Sequence, residues 1–199
     1  MEINNKLITN ALRYMRVPPD KHDQELFNIA AETFKKIEGF LNPKFIWSKF
    51  GLEKLNNGIK IANTEFISGD ILRLMQKSEE CILLAITLGA EIDRQIILSQ
   101  KNNMLDGIAL DACASVLVDE ICNDMTRKKI LPELNQDQYL TSRFSPGYGD
   151  LNLKYNKDII EILNATKMIG LSVTGSYMMT PVKSVTALVG IKIKCRSQI

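Results

Sequence analysis

The segment 104–129, MLDGIALDACASVLVDEICNDMTRKK, sets the tightest limit on what this chain can fold into. It is the longest run with helical periodicity. Leu105, Ile108, Ala109, Ala112 and Val116 form one apolar stripe, and Leu110, Cys113, Leu117 and Ile121 form another, so apolar residues fall on nearly every side. A helix that is apolar all round must be covered all round, which predicts one long central helix with the rest of the chain packed about it. Its polar residues are then informative. Asp111, Ser115 and Asp119 recur every four positions and line up along one face. A polar column on a buried helix needs hydrogen-bonding partners, supplied in the simplest account by neighbouring backbone or water.

Shorter elements flank this segment. Leu7, Ile8, Ala11, Leu12 and Met15 recur at helical spacing until Val17-Pro18-Pro19 stops the run. Asp20 is placed to cap a second helix that carries Leu26, Ile29, Ala30, Phe34 and Ile37 as far as Asn42-Pro43. KFIWSKF and IKIANTEFI alternate on either side of Asn56-Asn57-Gly58 and read as strands joined by a turn. Ser68 caps a brief helix through Met75. CILLAITLG is a continuous apolar run of strand length that passes through Gly89 into a helix, AEIDRQIILSQ. NKDIIEILNA reads as a helix with Asn156 as its cap and Gly170 as its end. The final stretch LSVTGSYMMTPVKSVTALVGIKIK, rich in Val, Thr, Ile and Tyr, reads as two strands. With no repeat and no linker, residues 1–199 are expected to form a single α+β domain, mainly an antiparallel sheet with flanking helices around the long one.

Composition removes several function classes. The 25 basic and 23 acidic side chains give no basic field for tracking phosphates, so no nucleic-acid partner is expected. The polar N-terminal stretch and the lack of an apolar run near ~18 residues argue against a signal peptide and a membrane span, and point to a cytoplasmic protein. Cys81, Cys113, Cys122 and Cys195 are far apart with no CxxC, as expected of buried, reduced thiols rather than a metal or disulfide framework. His22 is the only histidine, which leaves little from which to build a triad or a multi-histidine metal site. The pairs Glu79-Glu80 and Asp119-Glu120 are adjacent in sequence, so on a helix they diverge by about 100° and do not share one target. TLGAEIDR has a single glycine between strand and helix, which marks a turn and not a dinucleotide loop. No catalytic residue is assigned.

RFSPGYG, residues 143–149, holds more breakers than a turn needs. Arg143 offers a planar fork of donors suited to a carboxylate. Pro146 fixes the chain, Gly147 and Gly149 allow the backbone to approach a ligand closely, and Tyr148 adds a π face with a polar tip. The residues alone fit either a cradle for a small amino-acid-like ligand or a surface loop whose arginine caps a helix end.

RFSPGYG resembles the R-x-x-P-G-Y signature of the S-adenosylmethionine-binding activation domain of cobalamin-dependent methionine synthase. LSVTGSYMMTPVKSVTALVG resembles the T-E-S-x-x-M-x-P-x-x-S-V stretch that follows it in that domain, with a short helix between, as here. ALRYMRV and TLGAEIDR are similar to the small stand-alone form, so the likeness runs through most of the chain. The resemblance implies a C-shaped α+β unit that holds S-adenosylmethionine in a shallow groove and presents its methyl group to cobalamin. It implies that Arg143 holds the ligand carboxylate and that the loop of Ser145, Pro146, Gly147 and Tyr148 meets the adenine and the methionine part. An acid on the long helix, Asp119 or Glu120, completes the implied site. The departures are Gly149-Asp150 after Tyr148, where the large enzymes have proline and a histidine-containing segment, Gly175 in place of the glutamate, and no counterpart of a C-terminal tyrosine.

The function implied is reactivation. A flavodoxin- or ferredoxin-like donor reduces Co(II) cobalamin, and the methyl group of S-adenosylmethionine traps the product as methylcobalamin. The chain carries no D-x-H-x-x-G for cobalamin, so the corrinoid is expected on a separate methionine synthase core or related corrinoid protein. The groove is then expected to open past Tyr148 and Met178 to Lys183 toward that partner. Two alternatives are a non-catalytic interaction subunit of a corrinoid methyltransferase system and a freestanding S-adenosylmethionine-dependent methyltransferase for a small molecule.

Overall fold

The computed structural model describes residues 3–18 and 23–194. Helix α1 (Asn5–Tyr14) starts where the Asn4 side chain accepts the Leu7 N–H, and α2 (Gln24–Ile37) where Asp23 accepts that of Leu26. Asp20, expected as the second cap, lies outside the described residues, as do His22 and Cys195. Strands β1 (Lys44–Lys54), β2 (Gly58–Ile61) and β3 (Thr64–Ile67) follow, then α3 (Gly69–Leu74), whose cap is the predicted Ser68. Next come β4 (Ser78–Thr87), α4 (Ala90–Asn102) and the long α5 (Met104–Met125), which widens into a π turn over Thr126–Ile130. The chain ends in β5 (Gln138–Leu140), α6 (Tyr155–Ile162), α7 (Ala165–Ile169), β6 (Ser172–Val173), β7 (Met179–Thr180) and β8 (Ser184–Ile193).

The strands form a six-stranded sheet in the order β3-β2-β1-β4-β8-β5, every neighbouring pair antiparallel. This explains the unbroken apolar run of β4. Ile82, Leu84 and Ile86 point into a core shared with α1, α2, α4 and α5, while Cys81, Leu83 and Ala85 point into a second core with β2, β3, α3, α6 and α7. A strand covered on both faces has no solvent side on which to alternate. Tyr155 ties α6 to the sheet: its ring lies 5.0 Å from that of Phe66, and its hydroxyl accepts the Ile67 N–H at 2.8 Å. Helix α5 is covered by α1, α2, α4 and the sheet, as an all-round apolar helix requires. No described helix is long and apolar enough to cross a membrane.

Three local expectations differ from the structure. Asn156 does not cap α6. It lies in the first turn, 2% exposed, where it accepts from Thr186 Oγ1 at 2.7 Å and donates to the Tyr177 carbonyl at 3.1 Å. A buried amide that cross-links a helix, a strand and a loop has the sequence appearance of a cap. The helix also breaks before Gly170, because Asn164 turns left-handed (φ 51°), and Gly170 ends the separate α7. The last stretch supplies three strand segments rather than two: β6 and β7 pair only with each other, and β8 alone joins the main sheet.

The hydroxyl of Ser78, at the irregular start of β4, is fully buried with no hydrogen-bond partner. A Cβ on Gly190 would lie 2.5 Å from that oxygen and 2.6 Å from Met75 Sδ. Ser78→Ala is therefore expected to raise the unfolding free energy by about 1 kcal/mol, since it deletes an unpaired buried polar group. Gly190→Ala should lower it by about 1–3 kcal/mol through overpacking. Urea unfolding of both variants checks this, and a clear loss of stability in Ser78→Ala would mean that the hydroxyl has a partner after all.

Candidate functional site

The polar column on α5 finds cations rather than only backbone and water. Ser115 Oγ does donate to the Asp111 carbonyl at 2.9 Å, but it also accepts from Lys183 Nζ at 2.8 Å, and Asp111 Oδ1 lies 2.9 Å from the same ammonium. Two turns on, Asp119 Oδ1 receives Arg143 Nη2 at 3.3 Å. Lys183 belongs to the second matched stretch and Arg143 to the first. Both stretches therefore meet one face of α5, separated by eight residues or about 12 Å of helix.

Each stretch is pinned by a further aspartate. Asp93, in the first turn of α4, accepts the backbone N–H of Val182 at 2.6 Å and of Lys183 at 3.4 Å, which gives TLGAEIDR a structural role. Asp150 caps α3 from a distance: it accepts from the Ser68 hydroxyl, from the Gly69 N–H at 2.7 Å and from the Asp70 N–H at 3.3 Å. In return its own N–H donates to Asp70 at 3.2 Å. This exchange leaves no room for a side chain at Gly149, where a Cβ would run into the Asp70 carboxylate and φ is 52°. Gly147, at φ 92°, donates to the Leu151 carbonyl at 2.8 Å. Phe144 exchanges two backbone hydrogen bonds with Leu188 of β8, so the loop is fixed to the sheet.

The loop and α5 enclose a cleft of about 360 Å³ lined by Asp119, Arg143, Phe144, Ser145 and Tyr148. Arg143 is mostly buried, with its side chain 22% exposed, and lies beside the Cys122 thiol. Burial pushes that thiol up, while the Arg143 guanidinium pulls the other way. Tyr148 stands 69% exposed at the rim. A second cleft of about 370 Å³ lies between α1 and α5 and shares Asp119. Chemically, the first cleft sets a guanidinium and a carboxylate beside each other under an aromatic ring, a pattern matched to a zwitterionic amino-acid end.

Of the residues singled out in the sequence, Asp119, Arg143, Ser145 and Tyr148 come together as the cleft lining. Pro146 is buried in the loop and Gly147 is exposed beside it, both as scaffold to the lining. The two candidate acids separate. Asp119 faces Arg143, whereas Glu120 turns to Arg127 at 3.4 Å and to the second cleft. Gly175 sits in the exposed turn between β6 and β7. Sequence reasoning missed Phe144, the pairing of Lys183 with Asp111, and the anchoring roles of Asp93 and Asp150. The only signal for them was position, since each lies inside or next to a segment already singled out.

Comparison with known proteins bears on the family and the fold. Residues 81–196 match the family described as vitamin B12 dependent methionine synthase, activation domain. A search of solved structures finds the crystal structure of the MetH reactivation domain bound to AdoHcy, with a TM-score of 0.67 and 18% identity, covering 100% of this chain and 79% of that one. At that identity the likeness is one of fold. A search of curated proteins returned no match.

The Asp150 anchor carries a pH signature. The Ser68 hydroxyl, then the Gly69 and Asp70 N–H groups, hold its carboxyl below the ordinary value. Its stabilisation is thus present above the unfolded-state pKa near ~4 and is lost as pH falls through the lower folded value. Asp150→Ala should lower the thermal midpoint at pH 7, with the gap to wild type closing below about pH 4. A gap that does not change with pH would show that the carboxylate charge is irrelevant to the anchor.

Proposed function

The chain belongs to the vitamin B12 dependent methionine synthase activation domain family, and from that membership we propose that it binds S-adenosylmethionine and supports reactivation of cobalamin held by a separate protein. The observation that carries this reading is the cleft at Asp119, Arg143, Ser145 and Tyr148, which lies within the matched segment. Arg143 gives Asp119 one long contact, which leaves most of its five donors for a ligand carboxylate. Asp119 then takes the α-ammonium, so the ligand inserts its own pair of opposite charges between two that are already matched.

The reaction asks the chain for position rather than for a proton. One electron from a flavodoxin- or ferredoxin-like donor takes Co(II) to Co(I). The Co(I) electron pair forms the bond to the methyl carbon as the C–S bond breaks, and its electrons stay on sulfur as S-adenosylhomocysteine. No acid or base is consumed, in keeping with a sequence that offers no histidine pair or convergent carboxylates. The contribution of Arg143, Asp119 and the 145–148 loop is to hold the sulfonium methyl in line at an open rim, where positioning is worth several kcal/mol. Cobalamin is assigned to a methionine synthase core or related corrinoid protein because these 199 residues contain no D-x-H-x-x-G.

Two experiments test the reading. In calorimetric titration, Arg143→Ala should cost about 2–4 kcal/mol of S-adenosylmethionine binding. Asp119→Asn should weaken binding with little change in thermal midpoint, while Glu120→Gln leaves it unaffected. Unchanged affinity in Arg143→Ala would remove the arginine from the site. Separately, the chain is mixed with a cobalamin-dependent methionine synthase core lacking its own activation domain, a low-potential donor and S-adenosylmethionine. The visible spectrum should pass from Co(II) to methylcobalamin only when the chain is present. Equal conversion without it would defeat the reactivation role and leave the interaction-subunit alternative.

A further inference from the structure

The function proposed above leaves α1 unused, although ALRYMRV stands out in the sequence. Tyr14, at the last turn of α1, is 56% exposed, an unusual position for a large ring on a helix that otherwise packs inward through Leu7, Ile8 and Ala11. It lines the α1–α5 cleft together with Asn10, Arg13, Asp119 and Asn123. Asp119 also lines the Arg143–Tyr148 cleft, so the two clefts adjoin at that carboxylate. Burial first, then the Asp119 charge and Tyr148, raise the Tyr14 phenol above its usual pKa. The ring is therefore neutral at physiological pH and close enough to both groups to feel them. Lys6 and Arg13 also border the α1–α5 cleft, as does Glu120.

A carboxylate beside two exposed aromatic rings is a setting for a cation that is weakly hydrated, because the π faces attract positive charge without competing hydrogen bonds. In the reading above, Arg143 and Asp119 take the amino-acid end of the ligand. The remaining positive charge is the sulfonium, and the S-methyl group with the charge it confers separates the methyl donor from its demethylated product. We propose that Tyr14 is a specificity-determining residue of the groove: its ring, set with Tyr148 beside Asp119, holds the sulfonium and so favours S-adenosylmethionine over the uncharged thioether S-adenosylhomocysteine. This rests on the reading that the groove takes S-adenosylmethionine. The discrimination has a use, because a site that binds donor and product alike is blocked by its own product.

The test is calorimetric titration of the full chain with each of the two ligands, for wild type, Tyr14→Leu and Tyr14→Phe. Thermal unfolding confirms that each variant folds, and the exposure of Tyr14 leaves the core untouched by either change. Wild type should bind the donor more tightly than the product. Tyr14→Leu should weaken the donor about threefold to thirtyfold and leave the product within about twofold, while Tyr14→Phe, which keeps the ring, retains the preference. Equal weakening of both ligands would place the ring on the shared adenosyl part, and no change in either would place it outside the site; both outcomes overturn the proposal while the binding site itself stands. A wild-type chain that binds neither ligand overturns the underlying reading and this proposal with it.

Discussion

A helix covered on most of its circumference has one face left on which charge can be matched, and on α5 that face carries Asp111, Ser115 and Asp119. Everything that positions the cleft depends on how this column is satisfied. Lys183 is 8% exposed and spends donors on both Asp111 and Ser115 at under 3 Å. Removing its acid partner would strand a nearly buried ammonium, a change that costs a few kcal/mol even with Asp111 half exposed. Arg143 is held differently. Its contact with Asp119 is single, longer and at the edge of solvent. The same column thus makes a tight pair where the loop before β8 is fixed and a loose pair beside the Arg143–Tyr148 cleft. Eight residues of helix set the spacing between the two.

The aspartates on other elements extend the same logic. Asp93 and Asp150 each accept backbone N–H groups from a segment about eighty or more residues distant, so neither interaction is local in the chain. In this chain Gly149-Asp150 supplies a cap for α3, and Gly149 must lack a side chain for the Asp70 carboxylate to answer. Such anchoring fixes the base of the loop, where Gly147 and Gly149 would otherwise give the backbone freedom to move.

What could be read in the sequence follows from the range of the interaction involved. Ser68, the strand-to-helix turn at Gly89 and the all-round apolar α5 are local or periodic signals, and they appear where the pattern predicts them, whereas α1 ends at Tyr14, with Arg16 left-handed, before the prolines are reached. β5 is three residues long and exists because β8 offers an edge to Gln138–Leu140, so no periodicity announced it. Asn156 illustrates the opposite error: its type and place suggest a cap, but its partners are Thr186 and Tyr177, set by tertiary packing alone. Within the candidate site, residue chemistry pointed to Arg143, Tyr148 and an acid on α5. Which acid was undecided because Asp119 and Glu120 differ only in angle about the helix, and only the position of Arg143 resolves that.

The electrostatics of the groove bear on the order of events. Arg143 and Asp119 are paired in the structure, and in the proposed function that pairing keeps the guanidinium oriented for the ligand. A zwitterion can replace that contact charge for charge, whereas a simple carboxylate would leave Asp119 unpaired and a simple amine would leave Arg143 unpaired. In the proposed function, selectivity for an amino-acid end would follow from a pair that is already formed, at no cost in unmatched charge. The sulfonium is the one ligand charge this pair does not account for. In the proposed function it finds its compensation in the exposed rings at the rim, where a partner's cobalt would approach. In that proposal methyl transfer would remove the charge, so the product would keep the zwitterionic contacts and lose the one at the rim, and the chemistry itself would weaken the hold on what has to leave.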